Sequence, residues 1–326
     1  MNKKFVNACN RQSQKVPPIW FMRQAGRYHS HYRNIKQKNT FELMCKTPEL
    51  AGEVALGPIK EFDYDVAILF SDILFPLEGL GMNLRFDPGP KFQLHINTDN
   101  VDQFKDIDKA IDFLSFQRDA LITTRSMLPK TKSMIGFVGG PWTLLNYACG
   151  DQKVSDKFKL DYMKKILIPL LKRNIELQLN AGAEKIMIFD SGLQNMPSKF
   201  FDKKYFPLLK TLANKDTAYY SRNLPRKCIS TVLTAKWGGI GVDSKIDMID
   251  CLKAVNKGFV QGNFDEQKML LPKHKFMYEI ERYCDDIRKS NVDTSGWVCG
   301  LGHGIDKTTP EEHVHLFIET VRNRLS

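Results

Sequence analysis

The stretch Val66-Ala67-Ile68-Leu69-Phe70-Ser71-Asp72 decides the fold class. Its first five residues form a continuous apolar run of strand length, and the run ends in a serine and an aspartate. Such runs are typical of parallel strands that helices cover on both faces. The segment before it, residues 47–62, begins with Thr47 as a candidate N-cap and Pro48 at the first helical position. Apolar residues then recur on one face of this segment, which predicts a helix.

The same alternation of helix and strand continues along nearly the whole chain. Strands are predicted at residues 17–21, 66–70, 135–138, 186–189, 218–220, 229–233, 239–243, 259–260 and 297–299. Further helices are predicted at 101–128, at 158–181 with Gly182 as the stop, at 276–287, and from Pro310 onward with Thr309 as N-cap and Glu312 closing a capping box. Residues 82–96 alternate around Asp87-Pro88-Gly89-Pro90 and predict a hairpin outside this pattern.

About seven to nine strands in a chain of this length predict a (β/α)8 TIM barrel. No linker or composition break divides the chain, so we expect a single α/β domain over residues 1–326. A doubly wound open sheet is the alternative. Polar or glycine-rich residues at the ends of many strands favour the barrel, because in a barrel those ends converge on one mouth. These residues are Arg23, Arg27, Asp72, Tyr147, Ser191, Asp243, Asn263 and His303.

Composition and charge narrow the class of protein. The formal net charge of +11 indicates an acidic partner, such as nucleic acid, an anionic membrane surface or a polyanionic small molecule, or else a lysine-rich surface. The seven cysteines form no Cys-x-x-Cys, and the N-terminal residues contain no apolar signal-peptide core. We therefore expect a reducing, cytoplasmic location, and no apolar run is long enough to cross a membrane.

Common catalytic and binding motifs are missing from the sequence. It contains neither phosphate-binding glycine pattern, G-x-x-x-x-G-K-[ST] or G-x-G-x-x-G, and no G-x-S-x-G elbow. The pairs His29/His31 and His313/His315 lack the spacing of a zinc site, so we expect no metal, and His313 and His315 are predicted on a helix surface. The aromatic residues lie mostly in apolar runs, which argues against nucleic-acid binding.

A few residues at the predicted mouth could carry chemistry. Arg23 and Arg27 offer planar forks of donors that match carboxylate or phosphate, although an Arg-x-x-x-Arg can also be a solvated loop. Asp72 could cap a turn or provide a fixed negative charge that stabilises a cation. His303 could be a turn residue or a group that donates or transfers protons, and Tyr147 could be core.

Five ordered blocks resemble the uroporphyrinogen decarboxylase family, from about residue 17 to the end. They are Trp20-Phe21-Met22-Arg23-Gln24-Ala25-Gly26-Arg27-Tyr28, Phe70-Ser71-Asp72-Ile73-Leu74, Gly136-Phe137-Val138-Gly139-Gly140-Pro141-Trp142-Thr143-Leu144, Gln261-Gly262-Asn263 and Gly300-Leu301-Gly302-His303-Gly304. Pro310-Glu311-Glu312-His313-Val314 also resembles the opening of the family's C-terminal helix. Departures include His29-Ser30-His31 where the family commonly has a Leu-Pro-Glu-like run, Gly192-Leu193-Gln194 after Ser191, and Asp265-Glu266 in place of Asp-Pro.

The resemblance implies a cytoplasmic barrel enzyme, usually a homodimer, that needs no cofactor. It would convert the four acetate side chains of uroporphyrinogen to methyls, giving coproporphyrinogen and carbon dioxide. The resemblance also implies the substrate-binding residues, which are Arg23, Gln24, Ala25, Gly26, Arg27, Lys36, Asp72, Tyr147, Ser191 and His303. Among these, Asp72, Tyr147 and His303 are the candidate catalytic residues, with the proton donor left open between Tyr147 and His303.

Two other functions remain open at this stage. A corrinoid- or thiol-linked methyltransferase resembles the same barrel, but such relatives use a His/Cys zinc site that the sequence does not show. A nucleic-acid-binding or tetrapyrrole-binding protein without chemistry is the non-enzyme alternative.

Overall fold

The computed structural model describes residues 1–86 and 89–326. Within these ranges seven parallel strands form one curled sheet, in the order β1-β4-β5-β6-β7-β8-β9, and β2 and β3 form a separate antiparallel pair. The strands are β1 (Val66–Ile68), β2 (Leu84–Phe86), β3 (Pro90–Phe92), β4 (Ser133–Gly139), β5 (Ile186–Phe189), β6 (Thr217–Tyr220), β7 (Gly239–Gly241), β8 (Phe259–Phe264) and β9 (Trp297–Leu301).

Helices precede and follow nearly every strand of the sheet. They are α1 (Lys3–Cys9), α2 (Ser30–Lys36), α3 (Phe41–Lys46), α4 (Pro48–Phe62), α5 (Phe75–Gly79), α6 (Ile107–Phe113), α7 (Ser115–Met127), α8 (Pro141–Cys149), α9 (Asp156–Tyr162), α10 (Ile168–Asn180), α11 (Ser198–Phe200), α12 (Phe206–Leu209), α13 (Arg226–Leu233), α14 (Met248–Ala254), α15 (Lys273–Lys289) and α16 (Glu311–Arg324). Short 3₁₀ turns occupy Val101–Phe104, Lys210–Leu212 and Glu266–Leu270, and π-helical turns occupy Met163–Leu167 and Phe201–Tyr205.

Residues 18–20 join the two edges of the sheet and close it into a barrel. On one side, the amide of Trp20 donates to the carbonyl of Cys299 in β9 (3.2 Å), and the amide of Cys299 donates to the carbonyl of Pro18 (2.9 Å). On the other side, the amide of Asp65, just before β1, donates to the carbonyl of Ile19 (2.9 Å). Residues 18–20 therefore act as a short eighth strand between β9 and β1. We call this segment the first stave of the barrel because it comes first in the chain, and we also use stave for each barrel strand. The closure confirms the barrel and excludes the open sheet.

The barrel strands owe their sequence pattern to burial on both faces. All seven residues of β4 and all six of β8 are buried. Parallel strands with helices outside and packed side chains inside have no solvent-facing side, so their sequences read as apolar runs rather than as alternation. Trp20 and Trp297, on neighbouring staves, are fully buried in this core.

Two predicted elements differ from the structure. Residues 229–233 were predicted as a strand but lie in helix α13; their β-branched residues make a short helix hard to distinguish from a strand by composition. The predicted helix 101–128 is instead a 3₁₀ turn followed by α6 and α7, which meet at Leu114 and Ser115. Asp106 caps α6 by accepting from the amide of Lys109, a local bond that starts a new helix there.

The predicted caps also need correction. Helix α16 begins after Pro310, and its N-terminus has no side-chain cap bond, so the Thr309–Glu312 capping box is wrong. Glu312 pairs with Lys273 instead. Thr47 does occupy the N-cap of α4, also without a side-chain bond. His313 is buried rather than on the surface. Its Nδ1 lies 2.9 Å from the carbonyl of Met269.

Other predictions are confirmed. Gly182 has φ +99° and ends the long helical segment through α10, as a glycine C-terminal stop does. Strands β2 and β3 form the predicted hairpin, although Asp87 and Pro88 at its turn lie outside the described residues. Within the described ranges, no helix combines the length and apolar character needed to cross a bilayer.

Candidate active site

The loop after the first stave brings Arg23 to the barrel mouth in a left-handed backbone conformation. Its φ is +61°, which is unusual for an arginine and typical of residues held at functional sites. The aliphatic part of the Arg23 side chain packs against Gly304, since a Cβ on that glycine would lie 2.5 Å from Cδ of Arg23. The amide of Ile305 donates to the carbonyl of Met22 (3.0 Å), which ties this loop to the loop after β9.

The middle of the arginine loop is structural rather than open. Gln24 is fully buried: its Nε2 donates to the carbonyl of Val66 in β1 (2.9 Å), and its Oε1 accepts from the amide of Phe21 (3.3 Å). Its side chain therefore braces the loop against the barrel, and any substrate contact would have to come from its backbone. Ala25 and Gly26 are partly exposed beside it.

Arg27 and Lys36 follow Arg23 along the chain, and both are exposed. Arg27 is exposed, and its charge acts on Tyr32 and on Asp306 in the loop after β9. The guanidinium of Arg33 donates to the carbonyl of Arg27 (3.1 Å) and so supports its backbone. Lys36 is exposed in the last turn of α2.

Asp72 is a partly buried carboxylate just beyond the end of β1. Its Oδ1 accepts from the amide of Leu74 (2.9 Å), so it caps the turn that the sequence also allowed. Burial raises the pKa of Asp72, while the Leu74 amide and the positive charge of Arg23 oppose the rise. One carboxylate oxygen is thus committed to the turn, and the acid sits in the field of an arginine from the neighbouring stave.

His303 is held by Tyr220, which sequence reasoning missed. The Tyr220 hydroxyl lies 2.8 Å from the carbonyl oxygen of Gly302 and 3.1 Å from Nδ1 of His303. A carbonyl can only accept, so the Tyr220 proton goes to Gly302, and Nδ1–H of His303 donates to the Tyr220 oxygen. This network assigns the tautomer and leaves Nε2 of His303 as an unprotonated acceptor.

The protonation state of His303 follows from its surroundings. Burial, together with the positive charges of Arg222 and Arg23, lowers the pKa of His303 to about 4. Near neutral pH the ring is therefore uncharged. Arg222 belongs to the group of residues that sequence reasoning missed. It lies two residues past the end of β6, so the strand-end criterion used for the other mouth residues could have found it.

Tyr147 and Ser191 follow β4 and β5, on helix α8 and in the loop after β5. Tyr147, on α8, is 39% exposed, and it lines a cavity of about 470 Å³ with residues of the β2–β3 hairpin, among them Phe92 and His95. Ser191 is partly exposed in the loop after β5. The amide of Gly192 donates to Oγ1 of Thr143 (3.2 Å), which attaches this loop to α8.

A buried carboxylate next to Ser191 is structural. Asp190 accepts from the amide (2.9 Å) and hydroxyl (2.8 Å) of Thr143, from the hydroxyl of Tyr219 (3.2 Å) and from that of Tyr205. Burial raises the pKa of Asp190, and these four donors oppose the rise. Gly140 is required beside it, since a Cβ there would lie 2.2 Å from Asp190.

Asp243 and Asn263, also noted at strand ends, hold loops. Both oxygens of Asp243 accept from backbone amides, those of Asn223 (2.6 Å) and Lys245 (3.0 Å). Nδ2 of Asn263 donates to the carbonyls of Asp243 and Ile246. In the part of the chain that the structure describes, no group of three or more His, Cys, Asp or Glu side chains could hold a metal ion.

Comparison with known proteins identifies the family of the whole chain. The family model described as uroporphyrinogen decarboxylase (URO-D) matches residues 1–324. This chain belongs to the uroporphyrinogen decarboxylase family. Among similar proteins, the uroporphyrinogen decarboxylase of Helicobacter hepaticus is 34% identical over 98% of both chains. That of Carboxydothermus hydrogenoformans is 32% identical over 98% of this chain and 96% of its own.

Solved structures agree with the family's barrel fold. A methyltransferase from Methanosarcina mazei superposes with a TM-score of 0.77 at 16% identity, covering 99% of this chain and 98% of its own. A putative B12-independent methionine synthase from Listeria monocytogenes gives a TM-score of 0.56 at 10% identity, covering 94% and 96%. At these identities the likeness shows the fold alone. It does not favour methyl transfer over decarboxylation for this family member.

Proposed function

We propose that this protein decarboxylates the four acetate side chains of uroporphyrinogen to methyls, giving coproporphyrinogen and carbon dioxide in haem and tetrapyrrole biosynthesis. The observation that carries the proposal is the position of Asp72. It is a partly buried carboxylate in the field of Arg23, at the mouth of a barrel that belongs to this family. The substrate is a polyanion with pyrrole N–H groups at its centre, and the site offers arginines for the first and a carboxylate for the second.

The proposed chemistry needs one fixed negative charge. Protonation of a pyrrole carbon makes the ring an electron sink for the leaving carboxylate, so the reaction needs no cofactor. The resulting intermediate is cationic, and its N–H groups are hydrogen-bond donors. Cleavage of the bond to the carboxylate then releases carbon dioxide and neutralises the ring. The exocyclic methylene that remains takes up a proton to become the methyl, while the ring carbon loses the proton that it gained. An ionised Asp72 accepts hydrogen bonds from the pyrrole N–H groups through Oδ2, the oxygen that does not bond the Leu74 amide. Its charge stabilises the cation in a site that is partly shielded from water.

The arginines have the role of capturing substrate. Arg23 and Arg27 both lie on the wall formed by the first stave, and the net charge of +11 attracts a polycarboxylate to the protein. Lys36 extends the same cationic side at the end of α2. Ala25 and Gly26 keep the loop between the two arginines small, and Ser191 supplies a hydroxyl from the loop after β5.

The roles of His303 and Tyr147 separate in this proposal. At neutral pH His303 carries no proton on Nε2, so it serves as an acceptor that orients substrate rather than as the resting acid. A phenolic hydroxyl carries a proton that it can donate. Of the two candidates for the proton donor, the proposal therefore favours Tyr147, whose side chain is exposed.

An anaerobic turnover assay tests the proposed function. Purified protein is incubated with uroporphyrinogen, and the products are oxidised and separated by their number of carboxylates. We expect seven-, six-, five- and finally four-carboxylate porphyrins. Retention of all eight carboxylates under conditions in which an established decarboxylase of this family turns over would refute the proposal.

The organisation of the protein is part of the same proposal. We expect one folding unit over residues 1–326, assembled as a homodimer in the cytoplasm. The family membership supports this expectation, as does the single continuous core that packs around the barrel. Light scattering coupled to size-exclusion chromatography measures the assembly directly. A mass equal to a single 37.5 kDa chain at micromolar concentration would refute the dimer.

A further inference from the structure

A third arginine, Arg222, lies on the opposite wall of the mouth from Arg23 and Arg27. The ring runs from the stave at residues 18–20 through β1, β4, β5 and β6, and returns through β7, β8 and β9. In this order β6 is four staves from the first stave in either direction. Arg222 follows β6, so it enters the mouth from across the barrel.

A buried acid fixes one edge of Arg222. Nη2 of Arg222 lies 3.2 Å from Oε1 of Glu266, which comes just after β8. The Glu266 side chain is 7% exposed, whereas that of Arg222 is 43% exposed. An arginine presents five N–H donors in a rigid fork, so a pair through one nitrogen leaves other donors available on the exposed part of the group.

The position of Arg222 relative to the reacting centre is also constrained. Tyr220, two residues earlier, reaches across the barrel to Gly302 and His303. The charges of Arg222 and Arg23 both act on His303. The two arginines therefore act on the same imidazole from different walls of the barrel.

We infer that Arg222 binds a substrate carboxylate from the wall opposite Arg23 and Arg27, and that Glu266 is the residue that positions it. The inference rests on the proposed function. A tetrapyrrole carries carboxylates around its whole rim, so arginines on one wall contact only part of that rim. A cation on the far wall fixes how the ring is rotated in the mouth, and this rotation decides which side chain reaches Asp72.

Single substitutions separate the two roles. Arg222→Gln removes the charge and the fork, and Arg222→Lys keeps the charge alone. Both are assayed for KM and kcat with uroporphyrinogen, and for binding of oxidised uroporphyrin by fluorescence quenching. We expect Arg222→Gln to raise KM and the dissociation constant about tenfold, the loss of one charge-assisted pair, with kcat changed less than about threefold. Arg222→Lys should recover part of that loss.

A double-mutant cycle tests the positioning role of Glu266. Glu266→Gln should raise KM about threefold in the wild-type background and have no further effect on KM in the Arg222→Gln background, because it acts only through the arginine. Additive effects of the two substitutions would overturn the positioning role. The matched control is Arg282→Gln, which breaks a similar pair with Glu279 (2.7 Å) on α15 and should leave KM unchanged.

The outcomes distinguish the inference from the proposed function. If wild-type protein turns over uroporphyrinogen and Arg222→Gln leaves KM and porphyrin binding unchanged, the inference is wrong and the function stands. If wild-type protein binds porphyrin without turnover, the binding measurement still decides the role of Arg222. Wild-type protein that neither binds nor turns over overturns both.

Discussion

The hydroxyl of Tyr220 lies 3.1 Å from Nδ1 of His303, although the two residues are 83 positions apart in the chain. The same hydroxyl donates to the carbonyl of Gly302, so it holds both the loop after β9 and the tautomer of the histidine. The contact spans the barrel from β6 to β9. It makes His303 a neutral hydrogen-bond acceptor at the mouth.

Removing this hydroxyl should reduce activity by releasing the histidine. In Tyr220→Phe, Nδ1 of His303 and the carbonyl of Gly302 lose their partner, and the ring is free to rotate or change tautomer. We expect kcat/KM to fall about tenfold or more, the equivalent of one or two hydrogen bonds. Nitrogen NMR of the histidine reports the tautomer. Tyr278→Phe, at an exposed position on α15, is the control. Unchanged kcat/KM in Tyr220→Phe would contradict this role.

Asp72→Asn should abolish most turnover without destabilising the protein. The amide cannot stabilise a cationic intermediate, so we expect a loss in kcat of at least about 100-fold. Burial raises the pKa of Asp72, which means that the charged form is less favourable in the folded protein than in the unfolded chain. The melting temperature should therefore stay the same or rise. A near-normal kcat in Asp72→Asn would contradict the proposed role of Asp72.

The raised pKa of Asp72 also predicts a pH profile. The proposed reaction uses the ionised form, so activity should fall as the pH decreases through the folded pKa of this group. That acid limb of kcat/KM should lie above 3.8, the ordinary value for an aspartate. Measuring kcat/KM from pH 8 downward locates the limb. A limb at or below that value would indicate that Asp72 is not the group that titrates.

Arg27→Ala should weaken substrate capture with little effect on the chemical step. The exposed guanidinium offers a carboxylate contact that forms in both ground state and transition state, so KM should rise about tenfold while kcat stays within about twofold. Steady-state kinetics with uroporphyrinogen measures both constants. Arg118→Ala, at an exposed arginine on α7, should leave them unchanged. The same KM in Arg27→Ala and wild type would remove Arg27 from the site.

Two glycine substitutions should destabilise the protein to different degrees. A Cβ at Gly304 meets the flexible stem of Arg23, which can move aside, so Gly304→Ala should cost less than about 1 kcal/mol of stability and raise KM about fivefold by displacing the guanidinium. A Cβ at Gly140 meets Asp190, which Thr143 and two tyrosines hold in place, so Gly140→Ala should cost about 2 kcal/mol or more. Urea unfolding and kinetics together test the pair. Equal stability losses in the two variants would contradict this difference.

Protonation of His303 should make the fold sensitive to acid. Its folded pKa of about 4 is below its ordinary value of 6.5, so between these values the unfolded chain binds more protons. Stability should therefore decrease as the pH falls from about 6.5 to about 4. Urea unfolding across this window should show a smaller decrease in His303→Gln than in wild type, and His274→Gln, at an exposed position, is the control. An identical pH dependence in His303→Gln and wild type would contradict the burial of a neutral ring.

The sequence alone determined the fold class and the family. Apolar runs followed by polar residues, such as the run that ends in Asp72, follow directly from strands buried on both faces, and this signal is local. The left-handed stop at Gly182 is local in the same sense, and the five blocks can be identified directly from the chain. Short segments without such a signal were harder to predict. Residues 229–233 were predicted as a strand because their composition suits both a strand and a short helix.

Only the tertiary structure decided which mouth residues meet. Tyr220 contacts His303, and Arg222 pairs with Glu266, because the closed barrel brings the end of β6 within reach of the loops after β8 and β9. Likewise, the structure shows the side chain of Gln24 as a brace against Val66, although its motif alone suggested a substrate contact. These relationships depend on the closure of the ring by residues 18–20 and on side-chain packing across it. The spacing of residues along the chain predicts neither the ring closure nor this packing.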